Sequence, residues 1–372
     1  MRILVVASWY AGPRNPIRGS FIREQTMALA ARGHEVHVVQ FDRDRLRIPL
    51  SWQQADDNGL VEHRLGAPWP LHRLIGFYWP QLFAMRLREL IQHLRPALVH
   101  AHATRPAGVV ASMGCAGLNI PLVLTEHSNL QRGFWKTDHG FRQIERAFQS
   151  SNARIAVSKV HQATLEHYFP DGGSWEVIYN GIDPVQFSIG DPNQPRARAL
   201  LFAGGLEPVK GVDIILHAMA GLPDDISLTV AGDGSQRQYL HRLADQLGIS
   251  DRVRWLGRQS RDQLAALMRQ HTALVVASQS ETFSLVCAEA LASGTPVIAT
   301  RCGGPEEILP AGGGILVPVG DSQAIAAAAA KMFSGEFAVD RQALRDHALH
   351  RFSVKEMTDR LEGVYQRLTV GV

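Results

Sequence analysis

The sequence predicts an α/β protein of two doubly wound, Rossmann-like domains facing across a cleft. Three observations carry this. The chain has 372 residues, too many for one ordinary core and suited to two. Short apolar, β-branched runs alternate with longer amphipathic ones, the pattern of a parallel sheet covered by helices. The alternation runs through two cycles, separated near residues 183–198 by a stretch with three prolines and few apolar residues.

The elements follow in order. Residues 2–7 read as the first strand. Residues 20–32 read as a helix, with Phe21, Met27, Leu29 and Ala30 apolar and Gly33 as the stop. Strands are expected at 35–40, 97–101, 121–125 and 154–157. The second cycle has strands at 200–203, 227–231, 253–256, 273–277 and 297–300. Its helices are expected at 212–220, 235–247, 261–269 and 284–292. The expected domains are 1–183 and 199–353, with 184–198 as linker. Residues 354–368 have the pattern of an amphipathic last helix. Ligands of such folds bind beyond the carboxyl ends of the strands.

Composition sets bounds on function. Residues 1–190 carry a balance of +5 and the remainder −2, a mild asymmetry with no basic run, which argues against nucleic acid. Three scattered cysteines, Cys115, Cys287 and Cys302, are too few for a disulfide framework or a zinc site and fit a cytoplasmic protein. No segment has the length and apolarity of a membrane span. The apolar start is short and reads as a strand, not as a secretory signal.

Four segments carry chemistry. Glu281 and Glu289 stand eight positions apart, joined by a mostly apolar run and followed by Gly294-Thr295-Pro296. A carboxylate inside an apolar helix costs free energy unless it is paired. Glu289 therefore suits a diol such as ribose, or a structural salt bridge. The helix starting near Ser284 offers N–H groups and a positive dipole end to an anion. The second segment, 201–212, is strand, glycine turn, then Lys210, a cation beside backbone amides. It lacks the P-loop spacing. The third, Gly232-Asp233-Gly234, is another strand–glycine–helix turn. The fourth group lies in the first half: Gly12 to Ser20 after one strand, and Thr125-Glu126-His127-Ser128 after another. His100-Ala101-His102 puts two histidines on one strand face, where packing is expected over metal binding.

Together these segments resemble the retaining glycosyltransferases of family four, of the bacterial polysaccharide type and the GT-B fold. The resemblance covers nearly the whole chain, and it implies that the last helix, within 354–372, crosses back to the first domain. Glu281, seven residues, Glu289 and Ala292–Val297 match the family's paired-glutamate element. Gly204–Gly211 falls on its Gly-Arg-Leu-x-x-x-Lys-Gly. Asn180-Gly181-Ile182-Asp183, Gly303-Gly304 with Glu307-Ile308, Gly19, and Gly33-His34-Glu35-Val36 match as well.

The resemblance implies a hexosyltransferase that uses a nucleotide-diphosphate sugar, UDP favoured, and no metal or other cofactor. It implies His127, Glu281 and Lys210 as catalytic residues. Donor binding would fall to Gly19, Gly204, Gly205, Lys210, Gly232, Gly234, Glu281, Phe283, Ser284, Leu285, Val286 and Glu289. Gly205 departs from the family arginine, so Arg14 and Arg18 are expected to supply phosphate contact. The acceptor is expected to be a sugar or lipid-linked hydroxyl. Aromatic and basic residues interleaved over 63–95 suit either a peripheral contact at the inner face of the membrane or a helix packed on the core. Two rivals are a sugar-nucleotide epimerase of the same fold and a non-catalytic nucleotide-sugar-binding subunit.

Overall fold

The computed structural model describes residues 1–12, 18–42, 50–57, 59–66, 79–129, 138–191 and 195–370. It divides into two compact units, Met1–Gly181 with Met357–Val372, and Ile182–Glu356.

The first unit is a sheet of β1 (Arg2–Ala7), β2 (Glu35–Asp42), β3 (Trp52–Asp57), β4 (Leu60–Gly66), β5 (Leu98–His102), β6 (Leu122–Glu126), β7 (Ala153–Ala156) and β8 (Glu176–Val177). Among the described residues the order is β3-β4-β2-β1-β5-β6-β7-β8. Every pairing is parallel except β3 with β4. Leu4, Val6, Val99 and Ala101 are fully buried, as expected for central strands covered on both faces.

The first helix is Ser20–Ala31. Its buried residues are Ile22, Gln25, Thr26 and Leu29, a helical stripe in which two positions are polar. Of the four apolar residues singled out from the pattern, only Leu29 lies on it.

The second unit holds β9 (Ala197–Ala203), β10 (Ser227–Ala231), β11 (Val253–Gly257), β12 (His271–Val276), β13 (Val297–Thr300) and β14 (Gly314–Val317). Their order is β11-β10-β9-β12-β13-β14, all parallel. Counted from β9, that is the order 3-2-1-4-5-6. It reverses between β9 and β12, and ligands of such sheets bind beyond the carboxyl ends at the reversal.

Residues of the proline-rich stretch pack within the second unit. Ile182 pairs with Ser353, Phe187 is fully buried, and Arg345 donates to the carbonyls of Phe187 at 2.6 Å and Pro184 at 2.8 Å.

The last helix, Val354–Thr369, buries Met357, Thr358, Leu361, Val364 and Tyr365. From Met357 onward it belongs to the first unit. Arg32 bonds Asp359 at 2.7 Å and Glu362 at 3.0 Å, and His34 bonds Glu362 at 2.9 Å. Tyr365 Oη meets His100 Nδ1 at 2.6 Å in the core. The surface ion pairs contribute little, so the apolar stripe holds the helix. Leu361→Ala is expected to destabilise the first unit by about 2–5 kcal/mol through the cavity it leaves. Arg32→Ala should cost less than about 1 kcal/mol. Urea unfolding followed by the first unit's tryptophans checks both.

Candidate active site

Two loops at the reversal are locked by backbone contact. Gly204 N–H donates to the Ala231 carbonyl at 3.1 Å and Leu206 N–H to the Asp233 carbonyl at 3.1 Å. A Cβ on Gly232 would lie 1.8 Å from the Gly204 oxygen, so only glycine fits there. Gly234 is similarly close to the Leu206 backbone. Their requirement for glycine is thus explained by the neighbouring loop alone. Gly211 has φ +63°, and a Cβ there would stand 2.2 Å from the Ala277 carbonyl oxygen. That close approach pins the Lys210 loop, after β9, to the segment following β12.

The pinned loops bring Lys210 to Glu281. Lys210 Nζ lies 2.6 Å from Glu281 Oε1, which also accepts from Ser278 Oγ at 2.7 Å. The backbone of Glu281 is fixed too: its N–H donates to Cys302 O at 2.9 Å, and its carbonyl accepts from Gly304 N–H at 3.0 Å. Glu281 is only 13% exposed on its side chain and Lys210 is 31% exposed, so the cation is the more accessible partner.

The helix Leu285–Ala292 follows directly. Ser284 precedes it in a left-handed conformation, φ 69° and ψ 62°, and no side chain caps the helix. A non-glycine residue in that region stores strain, a feature that clusters at functional sites. Ser284 Oγ bonds Cys287 Sγ at 3.2 Å, and Phe283 is buried with its ring 5.5 Å from that of Phe352. Leu285 and Val286, in the first turn, are half-buried.

Glu289 is 2% exposed and forms an ion pair with Arg261 Nη1, whose guanidinium also lies over the Phe187 ring at 4.7 Å. Burial pushes the Glu289 carboxyl above its ordinary value, and Arg261 pulls the other way. Arg261 went unassigned in the sequence, where it is only the first residue of the predicted 261–269 helix. The signal was Glu289 itself, because a buried carboxylate requires a cation or donors.

The remaining predicted residues are in the first unit. Arg18 and Gly19 precede the Ser20–Ala31 helix; Arg14 lies outside the described residues. A Cβ on Gly19 would come within 2.7 Å of the Trp9 carbonyl group, which explains the glycine locally. His127 follows β6. Its N–H and that of Ser128 donate to Glu126 Oε1 at 2.8 and 2.7 Å. Glu126 Oε2 accepts from Thr104 N–H at 2.7 Å and from the Thr104 hydroxyl. His102 Nδ1 lies 3.0 Å from His127 Nε2. His100 and His102 are fully buried with ring centroids 4.2 Å apart, in keeping with packing. The predicted site residues therefore form two groups, one in each unit. Among the described residues, no cluster of three His, Cys, Asp or Glu could hold a metal ion.

The helix Trp79–Leu94 decides part of the aromatic–basic stretch. Phe83 is buried, Arg86 donates to Leu50 O at 3.1 Å, and Arg88 donates to Ala116 O at 2.5 Å. That part is a helix packed on the core. Trp69, Arg73, Phe77 and Tyr78 lie outside the described residues. No described helix is long and apolar enough to cross a membrane.

Comparison with known proteins identifies the lineage. The model of glycosyltransferase family 4 matches residues 19–186, and that of glycosyl transferases group 1 matches residues 190–350. The chain belongs to these glycosyltransferases. The D-inositol 3-phosphate glycosyltransferase of Mycolicibacterium gilvum is 34% identical over 232 residues, 58% of this chain and 52% of that protein. The chain thus spans about half the length of the curated relatives it matches. Sucrose-phosphate synthase from Thermosynechococcus elongatus superposes with a TM-score of 0.83 over 100% of both chains at 20% identity. Anabaena HepE in complex with UDP gives 0.77 over 99% of this chain and 100% of that one, also at 20% identity. The glycosyltransferase's fold is GT-B, with two Rossmann-like units.

The Glu289–Arg261 pair yields a signed prediction. A carboxyl whose pKa is higher folded than unfolded keeps its proton longer in the native state. Its contribution to stability therefore falls as pH rises from the ordinary glutamate range, about 4.3, through the raised native value. Arg261→Met removes the compensating charge and widens that window. The variant should lose about 3–5 kcal/mol at pH 8 and visibly less at pH 5. Urea unfolding at both values measures this; an equal loss at both would show that no buried charge is involved.

Proposed function

We propose that this glycosyltransferase moves a sugar from a nucleotide-diphosphate sugar, UDP favoured, to a hydroxyl acceptor, with retention at the anomeric carbon and without a metal. The observation that carries this reading is the pair Lys210–Glu281 at the β9/β12 reversal, with the buried Glu289 one helix turn beyond Leu285. In this reading Glu289 accepts the ribose hydroxyls. Lys210 and the first turn of Leu285–Ala292 hold the diphosphate, whose negative charge grows as the glycosidic bond breaks. Phe283, Ser284, Leu285 and Val286 present backbone to phosphate and sugar. HepE was solved with UDP-glucose, and another similar structure is a lipopolysaccharide outer core galactosyltransferase, which supports a UDP-sugar and a glycoconjugate acceptor.

Glu281 Oε1 is held by Lys210 and Ser278, which suits a sugar contact and a charge partner better than a nucleophile. We therefore favour same-face attack, with the departing phosphate taking the acceptor's proton. A trapped glycosyl-enzyme in the mass spectrum would replace this route by double displacement.

Gly205 explains a weaker phosphate grip, not a lost fold. Its φ lies outside the left-handed region, and a Cβ there would meet only Glu207 Cγ, at 3.8 Å. An arginine therefore fits. Gly205→Arg is expected to lower the donor KM several-fold. Lys210→Ala should reduce kcat by at least about 100-fold, the size expected for one transition-state charge contact. Arg18→Ala should raise donor KM if Arg18 supplies the missing phosphate contact. Turnover of a UDP-sugar panel with acceptor, in excess EDTA, tests the whole reading. Conversion of the donor without acceptor would reveal an epimerase, and tight UDP binding without turnover a binding subunit. Sedimentation with anionic liposomes at low salt tests the lipid-linked acceptor.

A further inference from the structure

The first unit contains a hydrogen-bonded row of side chains that ends at His127. Gln25, on the buried face of Ser20–Ala31, places its amide Nε2 3.2 Å from His102 Nε2. His102 Nδ1 then lies 3.0 Å from His127 Nε2, with the two rings stacked 5.3 Å apart at 18°. The Phe21 ring lies 4.8 Å from that of His127, tilted at 51°.

The direction of these bonds is set by chemistry. An amide nitrogen has protons and no lone pair to offer, so with the Gln25 amide in this orientation His102 Nε2 accepts. A neutral imidazole that accepts at one nitrogen carries its proton on the other. His102 Nδ1–H therefore donates, and His127 Nε2 receives. The proton of His127 is left on Nδ1.

Charge does not upset this assignment. Burial, before the mutual repulsion of the rings, holds His102 and His127 well below the ordinary histidine value and His100 at about 3. All three are neutral at physiological pH.

We propose that Gln25 and His102 are positioning residues that lock His127 in its Nδ1-protonated tautomer. That tautomer makes His127 Nδ1–H a hydrogen-bond donor and not a base; Nδ1 is enclosed in this structure, so a hydroxyl of the transferred sugar or acceptor reaches it only when the adjoining side chains move. Its one basic nitrogen is already engaged by His102. The inference rests on the reading of His127 as a catalytic residue, which the family resemblance implies, and it agrees with a proton that leaves on the departing phosphate.

Imidazole nitrogen NMR of the protein labelled with 15N-histidine tests the lock directly, with His127→Phe used to assign the signal. The expected result is one neutral, Nδ1-protonated His127; an Nε2-protonated ring overturns the proposal. Kinetics give a second arm. His102→Phe should lower kcat about tenfold, with donor KM within twofold, because the donor to His127 Nε2 is lost. His102→Asn keeps an amide N–H near the Nδ1 position and should recover most of that loss. A purely structural role would make asparagine no better than phenylalanine, and that outcome, or full activity of His102→Phe, sinks the proposal. If His127→Phe itself keeps full activity, the reading of His127 fails while the tautomer result stands on its own.

Discussion

A lysine and a glutamate held 2.6 Å apart on loops of neighbouring strands organise the second unit's site. The pair exists because the backbone leaves no slack. Gly211 approaches the Ala277 carbonyl too closely for any side chain, and the carbonyl and N–H of Glu281 are both tied to the 302–304 segment. Neither partner must search for the other, so little conformational entropy is lost on forming the contact. The lysine keeps the larger exposure of the two. It can therefore meet an incoming anion while Glu281 stays seated on Ser278.

Glu126 in the first unit and Glu289 in the second are both buried, and they are satisfied differently. Glu289 is held by a cation, Arg261, itself set against Phe187. Glu126 is held by donors: the amides of Thr104, His127 and Ser128 and the Thr104 hydroxyl. Left unsatisfied, either would cost several kcal/mol. The first arrangement seats a carboxylate inside the Leu285–Ala292 helix. The second fixes the backbone on which His127 stands. In both, a buried carboxylate fixes the place of its neighbours.

The sequence discloses the central strands, the two cycles and the paired-glutamate and lysine loops, because these depend on local pattern. The β3–β4 hairpin went unread although the sequence has Asn-Gly at positions 58–59, the favoured dipeptide for such a connection. Gln25 and Arg261 went unread for a different reason. Their partners are 77 and 28 residues away, and no period in the chain marks a bond of that span. Gln25 also sits where the helical stripe calls for an apolar residue. The glycines were legible as turns. Their cause, the close approach of another backbone at Gly204, Ala277 and Trp9, belongs to the folded chain alone.

The central claim is that the second unit grips a nucleotide diphosphate through Glu289 and Lys210. A crystal structure of the protein with UDP tests it most directly. The account predicts the ribose hydroxyls on the Glu289 carboxylate, and the diphosphate between Lys210 Nζ and the first turn of Leu285–Ala292. UDP bound elsewhere, or bound with Lys210 and Glu289 untouched, would contradict it.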